Sequence, residues 1–384
     1  MKLTILKEQI IEGMQKAAGI IPLRSGAAYL RSLWLKAEKD TLSIMSTDAN
    51  IEFTGIYPAQ VESEGLVGVQ GRAFVDLVRQ LPGGEITLDL DEAKNSLLLV
   101  QGRRKYKLPV NDATWFQPFS EFPQQNSISW SGDFFQDLIE RVNFCISDDD
   151  SSEALSCLYI KPVGNGRIEC CGLNGHQFAL KSFINDDIAA LLPVDGVLVQ
   201  KKYVNEIKKW LGVDEIELNI GEKRLHIRSG DGRETFSLPR SIYAYPDYMS
   251  FMSKLSGSEV SLLEVNRKEC IEALGRLAIF NSGNDLCTYL ELSASELSLA
   301  AQGQDVGSAD EVLETSYNGS ITKIAFPTKN LMDVMGHYNS ERLVLRLTST
   351  EGPCGISGKD DPDYTVIIMP MKMVDNTYYT EEEA

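Results

Sequence analysis

Catalytic and metal-binding signatures are scarce in this sequence. It has three histidines, at positions 176, 226 and 337, and none has a partner at the spacing of a metal site. No G-x-x-x-x-G-K-[ST], H-E-x-x-H or G-x-S-x-G motif occurs. The acidic clusters at 148–150 and 360–363 lack the ligand spacing of a calcium loop. We therefore predict a protein that is not an enzyme and that has no cofactor and no metal site.

Long hydrophobic runs, paired cysteine motifs and excess positive charge are also missing. No apolar run approaches the roughly 18 to 20 residues of a membrane span, and the start, MKLTILKEQII, has no signal-peptide block, so we expect a cytoplasmic location. Seven cysteines without a C-x-x-C predict reduced, mostly buried thiols. The net charge of -18 repels nucleic acid on average. Binding to DNA would therefore require cations gathered on one surface.

What the sequence does contain is an internal repeat. Residues 197–230 give an apolar strand, a helical stripe that ends at Gly212, and two alternating segments around Gly221. The apolar positions that define this pattern are Val199, Val204, Ile207, Leu211, Ile216 and Leu218. Subtracting 130 from these numbers gives Val69, Phe74, Leu77, Leu81, Ile86 and Leu88. Adding 127 gives Phe326, Leu331, Val334, Tyr338, Leu343 and Leu345. Ungapped agreement in both directions indicates a threefold repeat.

The length of 384 residues suits three domains of about 100 to 150 residues each. Short polar linkers near 124–126 and 256–258 place these domains at 1–125, 126–256 and 257–373, followed by an acidic tail at 374–384. Each third has two helical patterns and about eight short strands, which predicts an α+β fold with a sheet surface on one side and paired helices on the other. Asp231-Gly232 and Asn318-Gly319 predict tight hairpin turns.

Cations follow the predicted helices of all three repeats. They are Arg72, Arg79, Lys201, Lys202, Lys208, Lys209 and Lys329 on the second helices, and Lys7, Lys16, Arg141, Lys268 and Arg276 on the first. The simplest interpretation is a solvated helix face. The alternative is that the repeats place equivalent faces on one common surface, which would bind phosphates without recognising bases.

Four features resemble the beta subunits of bacterial DNA polymerase sliding clamps. The C-terminal YTVIIMPMKM at 364–373 resembles the family's ending, a strand followed by M-P-M-R-L. The segments NGHQFA at 174–179 and YPDY at 245–248 resemble the family's D-G-H-R-L-A and F-P-D-Y. Arg24 falls at the family's basic residue after the first helix. The resemblance covers residues 1–373.

This resemblance implies three tandem DNA-clamp-fold domains per chain and a head-to-tail ring of two chains, with helices lining the hole and sheets outside. Such a ring is a processivity factor, a non-catalytic subunit of the DNA polymerase. It encircles double-stranded DNA without sequence preference and tethers the replicative polymerase, the clamp loader and other replication and repair proteins. Clamps of the proliferating cell nuclear antigen type have two domains per chain and three chains, so three repeats favour the dimer.

The resemblance also implies a partner-peptide groove between the second and third domains. Carried over residue by residue, it is lined by Leu155, Leu173, Gly175, His176, Gln177, Phe178, Pro246, Phe251, Ile367, Met369, Pro370, Met371, Lys372 and Met373. The residues implied for DNA binding are Arg24, Arg72, Lys201 and Lys202. Asn174, Gln177 and Phe178 stand where the family usually has aspartate, arginine and leucine. Lys372 and Met373 replace arginine and leucine. We therefore expect an altered peptide preference.

The tail VDNTYYTEEEA at 374–384 extends beyond the family's usual end. One hypothesis is that Tyr378 and Tyr379 fold into the groove and compete with partner peptides. Two alternatives of other classes remain open: an enzyme with a pocket at a domain junction, and an adhesive module that binds metal through its acidic loops. Substrate turnover would identify the enzyme, and calorimetric titration with calcium would identify the adhesive module.

Overall fold

The computed structural model describes residues 1–23, 27–257, 259–281, 286–303 and 305–373. Arg24, Tyr378 and Tyr379 lie outside the described residues, and so do the expectations attached to them. The chain forms two compact units, one of Met1–Ile139 with Asp186–Ile242 and one of Glu140–Asn185 with the chain from Tyr243 onward. Within the described residues, every helix is too short or too polar to cross a membrane.

With one exception, the three thirds of the chain have the same order of elements, which confirms the repeat. The first third contains β1 (Lys2–Leu6), α1 (Lys7–Ile20), β2 (Ser32–Glu38), β3 (Thr41–Thr47), β4 (Glu52–Pro58), β5 (Gln60–Ser63), β6 (Gly65–Gln70), α2 (Gly71–Gln80), β7 (Glu85–Asp91), β8 (Ser96–Gln101) and β9 (Arg104–Asn111). The middle third contains β10 (Ser127–Ser131), α3 (Gly132–Asn143), β11 (Cys157–Gly164), β12 (Arg167–Leu173), β13 (Gln177–Ile184), α4 (Asp186–Leu191), β14 (Val197–Gln200), α5 (Lys201–Trp210), β15 (Glu215–Ile220), β16 (Arg224–Ser229) and β17 (Glu234–Pro239).

The last third follows the same plan after a short connecting helix. It contains α6 (Met249–Met252), β18 (Ser261–Asn266), α7 (Arg267–Leu277), β19 (Cys287–Leu292), β20 (Glu296–Gly303), β21 (Gly307–Glu314), β22 (Ser316–Asn318), β23 (Lys323–Pro327), α8 (Thr328–Gly336), β24 (Arg342–Leu347), β25 (Cys354–Gly358) and β26 (Tyr364–Ile368). The thirds differ at one element: the short strands β5 and β22 correspond to a helix, α4, in the middle third.

Antiparallel sheets join successive repeats in the same manner. In the first unit the strand order is β10-β15-β16-β17-β4-β3-β2-β6-β9-β8-β7-β1-β5, so β17 of the middle third pairs with β4 of the first. In the second unit the order is β11-β12-β13-β26-β25-β24-β18-β22, so β26 of the last third pairs with β13 of the middle one. A second sheet in that unit has the order β21-β20-β19-β23. Each joint therefore pairs the last strand of one repeat with the fourth strand of the repeat before it.

The apolar positions of the repeat form the cores. All the positions aligned above are buried except Leu77, which is half-buried. In α1 the buried stripe is Ile10, Met14 and Ala17, the spacing that the sequence predicts. Each fully buried large aliphatic or aromatic side chain stabilises the fold by about 1.5 to 3 kcal/mol relative to exposure.

The turn and cysteine predictions have different outcomes. Asp231-Gly232 joins the paired strands β16 and β17, and Gly232 has the positive φ of +75° that such turns require. The hairpin prediction at Asn318-Gly319 is wrong, because β22 pairs with β18 while the next strand, β23, pairs with β19. All seven cysteines are buried thiols. Burial raises the pKa of Cys170 to about 12, so this thiol is unreactive.

Candidate functional site

The turn between β12 and β13 is ordered by the side chain of Asn174. Its Oδ1 accepts hydrogen bonds from the backbone N–H groups of His176 (3.0 Å) and Gln177 (2.8 Å). Its Nδ2 donates to Gln177 Oε1 at 3.2 Å. Gly175 has a φ of +89°, which a side chain would disfavour. The imidazole of His176 is thus presented to solvent from a rigid turn.

The C-terminal segment is hydrogen-bonded to this turn. In the pairing of β13 with β26, Gln177 lies opposite Ile368 and Phe178 opposite Ile367. Beyond β26, the N–H of Met369 donates to the carbonyl of His176 at 2.9 Å. The N–H of Met371 donates to Ala325 in β23 at 2.8 Å. The motif that carries the resemblance therefore extends along one edge of the His176 turn.

An aromatic cluster covers Phe178. Its ring centroid lies 5.3 Å from that of Tyr248 and 5.2 Å from that of Phe251, and Phe178 is buried. Tyr248 also donates a hydrogen bond to Glu169 on β12, and Asp247 Oδ1 accepts from the N–H of Met249 at the start of α6. Phe178, predicted as a groove-lining side chain, therefore lies beneath α6 rather than at the surface.

The other predicted groove residues differ in burial. Gln177 and Ile367 are buried; the half-buried residues are Leu155, Leu173, Phe251, Met369, Pro370 and Met373; the exposed ones are Gly175, His176, Pro246, Met371 and Lys372. Leu155 belongs to the helical turn Asp150–Ser156, which packs against β12. Most of the predicted residues are apolar, and His176 and Lys372 are the exposed basic side chains among them.

Gln177 has a buried side-chain amide next to the His176 turn. It is 6% exposed, and its Nε2 has no hydrogen-bond partner among the described residues. An unsatisfied buried donor of this kind costs about 1 to 3 kcal/mol. An acceptor group supplied by a bound peptide would offset that cost.

Helix α5 carries four lysines, Lys201, Lys202, Lys208 and Lys209. Lys202 is exposed, with its Nζ 4.7 Å from the ring centroid of Tyr203, and Lys209 forms an ion pair of 2.7 Å with Glu206. A depression of about 610 Å³ beside this helix is lined by Gln136, Lys202, Asn205, Glu206, Lys208, Lys209 and Leu211. Lysine and amide groups in one depression suit phosphate oxygens, which they contact as point charges and donors.

Several of the other predicted helix cations are engaged within the fold. The Lys7 ammonium donates to the carbonyls of Arg79 (2.9 Å) and Leu81 at the end of α2. Arg72, implied as a DNA contact, is half-buried and donates to the carbonyl of Ile21 at 2.7 Å, after the end of α1. These two cations tie α1 and α2 together, which is a structural role that sequence alone did not indicate.

A buried carboxylate engages another predicted cation. Glu234 accepts hydrogen bonds from Lys16 Nζ (2.8 Å), Tyr57 Oη (2.8 Å) and Trp210 Nε1 (2.5 Å). Burial and the neighbouring carboxylate raise the pKa of Tyr57 far above its usual value. No sequence pattern marked Glu234, because Tyr57 and Lys16 lie 177 and 218 residues away in the chain.

Asp361 holds Arg141 in the same way. Its carboxylate forms an ion pair of 3.0 Å with Arg141 and accepts hydrogen bonds from Ser340 and Asn339. Burial opposes ionisation, but these hydrogen bonds outweigh it and hold the pKa of Asp361 below its usual value. Asp363 pairs with Arg167 at 2.9 Å. Among the described residues, no group of three His, Cys, Asp or Glu side chains is placed to hold a metal ion.

Three repeats of sheet and paired helices, with edge strands that join one repeat to the next, define the DNA-clamp fold. Two solved structures share it over 97% of this chain and 100% of theirs: Caulobacter crescentus pol III beta, with a TM-score of 0.89 at 23% identity, and the DNA polymerase III subunit beta of Pseudomonas aeruginosa, with a TM-score of 0.88 at 24% identity. The predicted α+β fold of three clamp domains is confirmed.

Family sequence models for the N-terminal, central and C-terminal domains of the DNA polymerase III beta subunit match residues 1–119, 130–243 and 258–372. The chain belongs to the DNA polymerase III beta subunit family. Relatives include the beta sliding clamps of Pseudomonas aeruginosa, 26% identical, and Escherichia coli, 24% identical, each aligned over 97% of this chain and 100% of its own length. The family is one of non-catalytic processivity factors, as the resemblance implied.

Proposed function

We propose that this protein is a DNA sliding clamp that closes as a head-to-tail dimer, encircles double-stranded DNA and tethers the replicative polymerase. One observation carries the proposal: repeats are joined through the last strand of one and the fourth strand of the one before it. Two such joints lie within the chain. The same rule leaves the fourth strand of the last repeat, β21, and the last strand of the first repeat, β9, to join different copies.

The two remaining edges suit each other in charge. Strand β9 carries the exposed Arg104, Lys105 and Lys107, and it pairs with β6 only at its end, through Val110 and Asn111. Strand β21 pairs only with β20 among the described residues and carries exposed carboxylates, including Asp310 and Glu314. A basic edge and an acidic edge form a heterologous contact, which gives a closed ring when the rotation between copies is suitable.

Within that ring, DNA would be held by long-range attraction and topology. The α5 lysines provide a cationic surface, and Lys201 and Lys202 are the implied contacts on it. Phosphate contacts alone bind every sequence about equally and weaken as salt rises. Weak contacts of this kind leave the ring free to move along the duplex.

The surface around His176 and Met369 would receive partner peptides, including those of the polymerase, the clamp loader and repair proteins. Its apolar residues include three methionines, at positions 369, 371 and 373, and flexible thioether side chains can repack around different ligands. The clamp of Pseudomonas aeruginosa has been solved bound to griselimycin. We also propose domain limits at 125/126 and 256/257 and a cytoplasmic location.

Retention on circular DNA tests this function. The full-length protein, loaded on a nicked plasmid by a clamp loader, should elute with the DNA in gel filtration and be lost when a restriction enzyme linearises the plasmid. Native mass spectrometry of the same sample should give a dimer. A monomer at micromolar concentration, or equal retention on linear DNA, would contradict the proposal.

A further inference from the structure

The middle repeat lacks a strand that both other repeats have. In the first repeat, β1 lies between β7 and the short strand β5. In the last repeat, β18 lies between β24 and the short strand β22. In the middle repeat, β10 pairs with β15 on one side and with no strand of the described residues on the other. The corresponding chain segment forms α4 instead.

The register identifies which residues the short strands cover. Leu3 lies opposite Leu88 and Val61, and Leu263 lies opposite Leu345 and Tyr317. Both central leucines are fully buried. Each short strand therefore supplies one apolar side chain, Val61 or Tyr317, beside the first strand of its repeat, with polar residues before and after it.

Ile128 is the residue of β10 at the equivalent position. It lies opposite Leu218, which the repeat aligns with Leu88 and Leu345. It has no strand on its other side within the described chain, and it is half-buried where Leu3 and Leu263 are fully buried. The missing strand thus leaves both an unpaired backbone edge and a partly exposed apolar side chain at the same place.

We propose that the free edge of β10, residues Ser127–Ser131, is a docking site for an extended segment of another protein. The segment adds as an antiparallel strand, because β5 and β22 are both antiparallel to the strands they cover. It carries one apolar residue opposite Ile128, between polar residues. Backbone hydrogen bonds supply the affinity and the apolar side chain supplies the selectivity, as in other cases of strand addition.

The charges around β10 indicate which residues the docked segment carries. In the first repeat, Glu62 of the covering strand forms an ion pair of 2.5 Å with Lys2 of β1. The position of Lys2 is occupied by Ser127 in β10, and the adjacent strand β15 places Glu215 opposite Ser131 and Glu217 opposite Ser129. The carboxylate of Glu215 is exposed and accepts from Ser129 Oγ at 3.1 Å. Glu217 is already paired with Arg228 at 2.5 Å, so the exposed Glu215 is the carboxylate that favours a segment with a basic residue beside its apolar one.

Tethering makes a direct test possible, because all seven native cysteines are buried. The Ser127→Cys variant of the full chain places an accessible thiol at the start of β10. The probe is the peptide ETKYCG, which is residues 314–319 of this chain, including β22, with Ser316→Lys beside the tyrosine and Asn318→Cys. In the pairing of β22 with β18, Asn318 lies opposite Leu262, the residue equivalent to Ser127, so the disulfide forms in the antiparallel orientation.

Hydrogen exchange of residues 128–131 is the readout. The tethered peptide should slow exchange of the edge amides about tenfold relative to a tethered peptide in which tyrosine is replaced by proline. Equal exchange with both peptides would overturn the proposal. If residues 128–131 of the untethered protein exchange as slowly as residues 3–5 of β1, the edge is already covered and the proposal is overturned. A tetramer in native mass spectrometry that Ile128→Asp converts to a dimer would identify a second copy as occupant and contradict the proposal.

Discussion

The two joints within the chain use the same kind of ion pair. At the first joint, Lys16 of α1 reaches Glu234 on β17 at 2.8 Å. At the second, Arg141 of α3 reaches Asp361, just before β26, at 3.0 Å. The two cations are 125 residues apart, the spacing that also separates the starts of β1 and β10. Equivalent helix cations therefore connect one repeat to the carboxylate of the next, rather than facing a ligand.

The last repeat uses the same position differently. Arg276 lies 260 residues after Lys16, the spacing that separates Leu3 from Leu263, and it pairs with Glu311 of its own strand β21 at 2.6 Å. The Arg276 side chain is 57% exposed, whereas that of Arg141 is 13% exposed. Permanent joints thus bury their ion pair, while the edge that we propose joins a second copy keeps its ion pair at the surface, where opening costs less.

The largest effect is expected when the buried pair is broken. Asp361→Ala leaves Arg141 without its carboxylate and removes the acceptor of Ser340 and Asn339. The free energy of unfolding should fall by about 3 to 5 kcal/mol in urea denaturation. Asp363→Ala, which breaks the exposed pair with Arg167, is the matched control and should cost at most about 1 kcal/mol. Equal losses in the two variants would refute the contrast between buried and exposed pairs.

Acid should remove the contribution of Asp361. Its pKa is lowered in the folded protein, so its stabilisation is present above the unfolded value of about 3.9 and disappears as pH falls through the folded pKa. The difference in unfolding free energy between the native chain and Asp361→Asn should therefore be constant down to about pH 5 and shrink below about pH 4. A difference that stays constant to about pH 2 would show that ionisation of this carboxyl is not what stabilises the joint.

Charge reversal on β9 should weaken the joint between copies. The double variant Lys105→Glu, Lys107→Glu places carboxylates opposite the acidic β21 edge and should raise the dimer dissociation constant at least about tenfold, measured by sedimentation at low salt. The compensating pair Asp310→Lys, Glu314→Lys, added to the same chain, should restore much of the affinity. Failure of the second pair to restore it would argue against contact between these strands.

The smallest effect is expected on DNA attraction. Lys202→Ala removes an exposed cation of α5 and should reduce the slope of log affinity against log salt concentration by about 0.9 if it contacts one phosphate. Lys39→Ala, in the turn between β2 and β3, is the control and should leave the slope unchanged. Equal slopes for both variants would remove Lys202 from the DNA surface.

The repeat was predictable from sequence because it rests on local periodicity. The apolar stripe of α1 and the alternation of β15 and β16 depend on neighbours in the chain. The stripe is buried as predicted, whereas the alternation is incomplete, because the polar Asn219 and His226 are buried as well. The contacts of the helix cations were not predictable from sequence. Lys16 and Arg141 have the spacing of exposed helix residues, and only contacts more than 200 residues away in sequence draw them into the fold. For the same reason, the motif around Phe178 predicts a position at the groove, but it could not predict that this side chain lies beneath α6.

Cross-linking shows whether the edges β9 and β21 of two copies join in solution. A variant with Lys105→Cys on β9 and Val312→Cys on β21 offers two accessible thiols, because the native cysteines are buried. Treatment with a short bis-maleimide should convert it to a covalent dimer closed at both contacts, which stays on a nicked plasmid in denaturing detergent. Cross-linked chains that stop at monomer, or that extend into an open ladder of trimers and larger species, would contradict a ring of two copies closed through these strands.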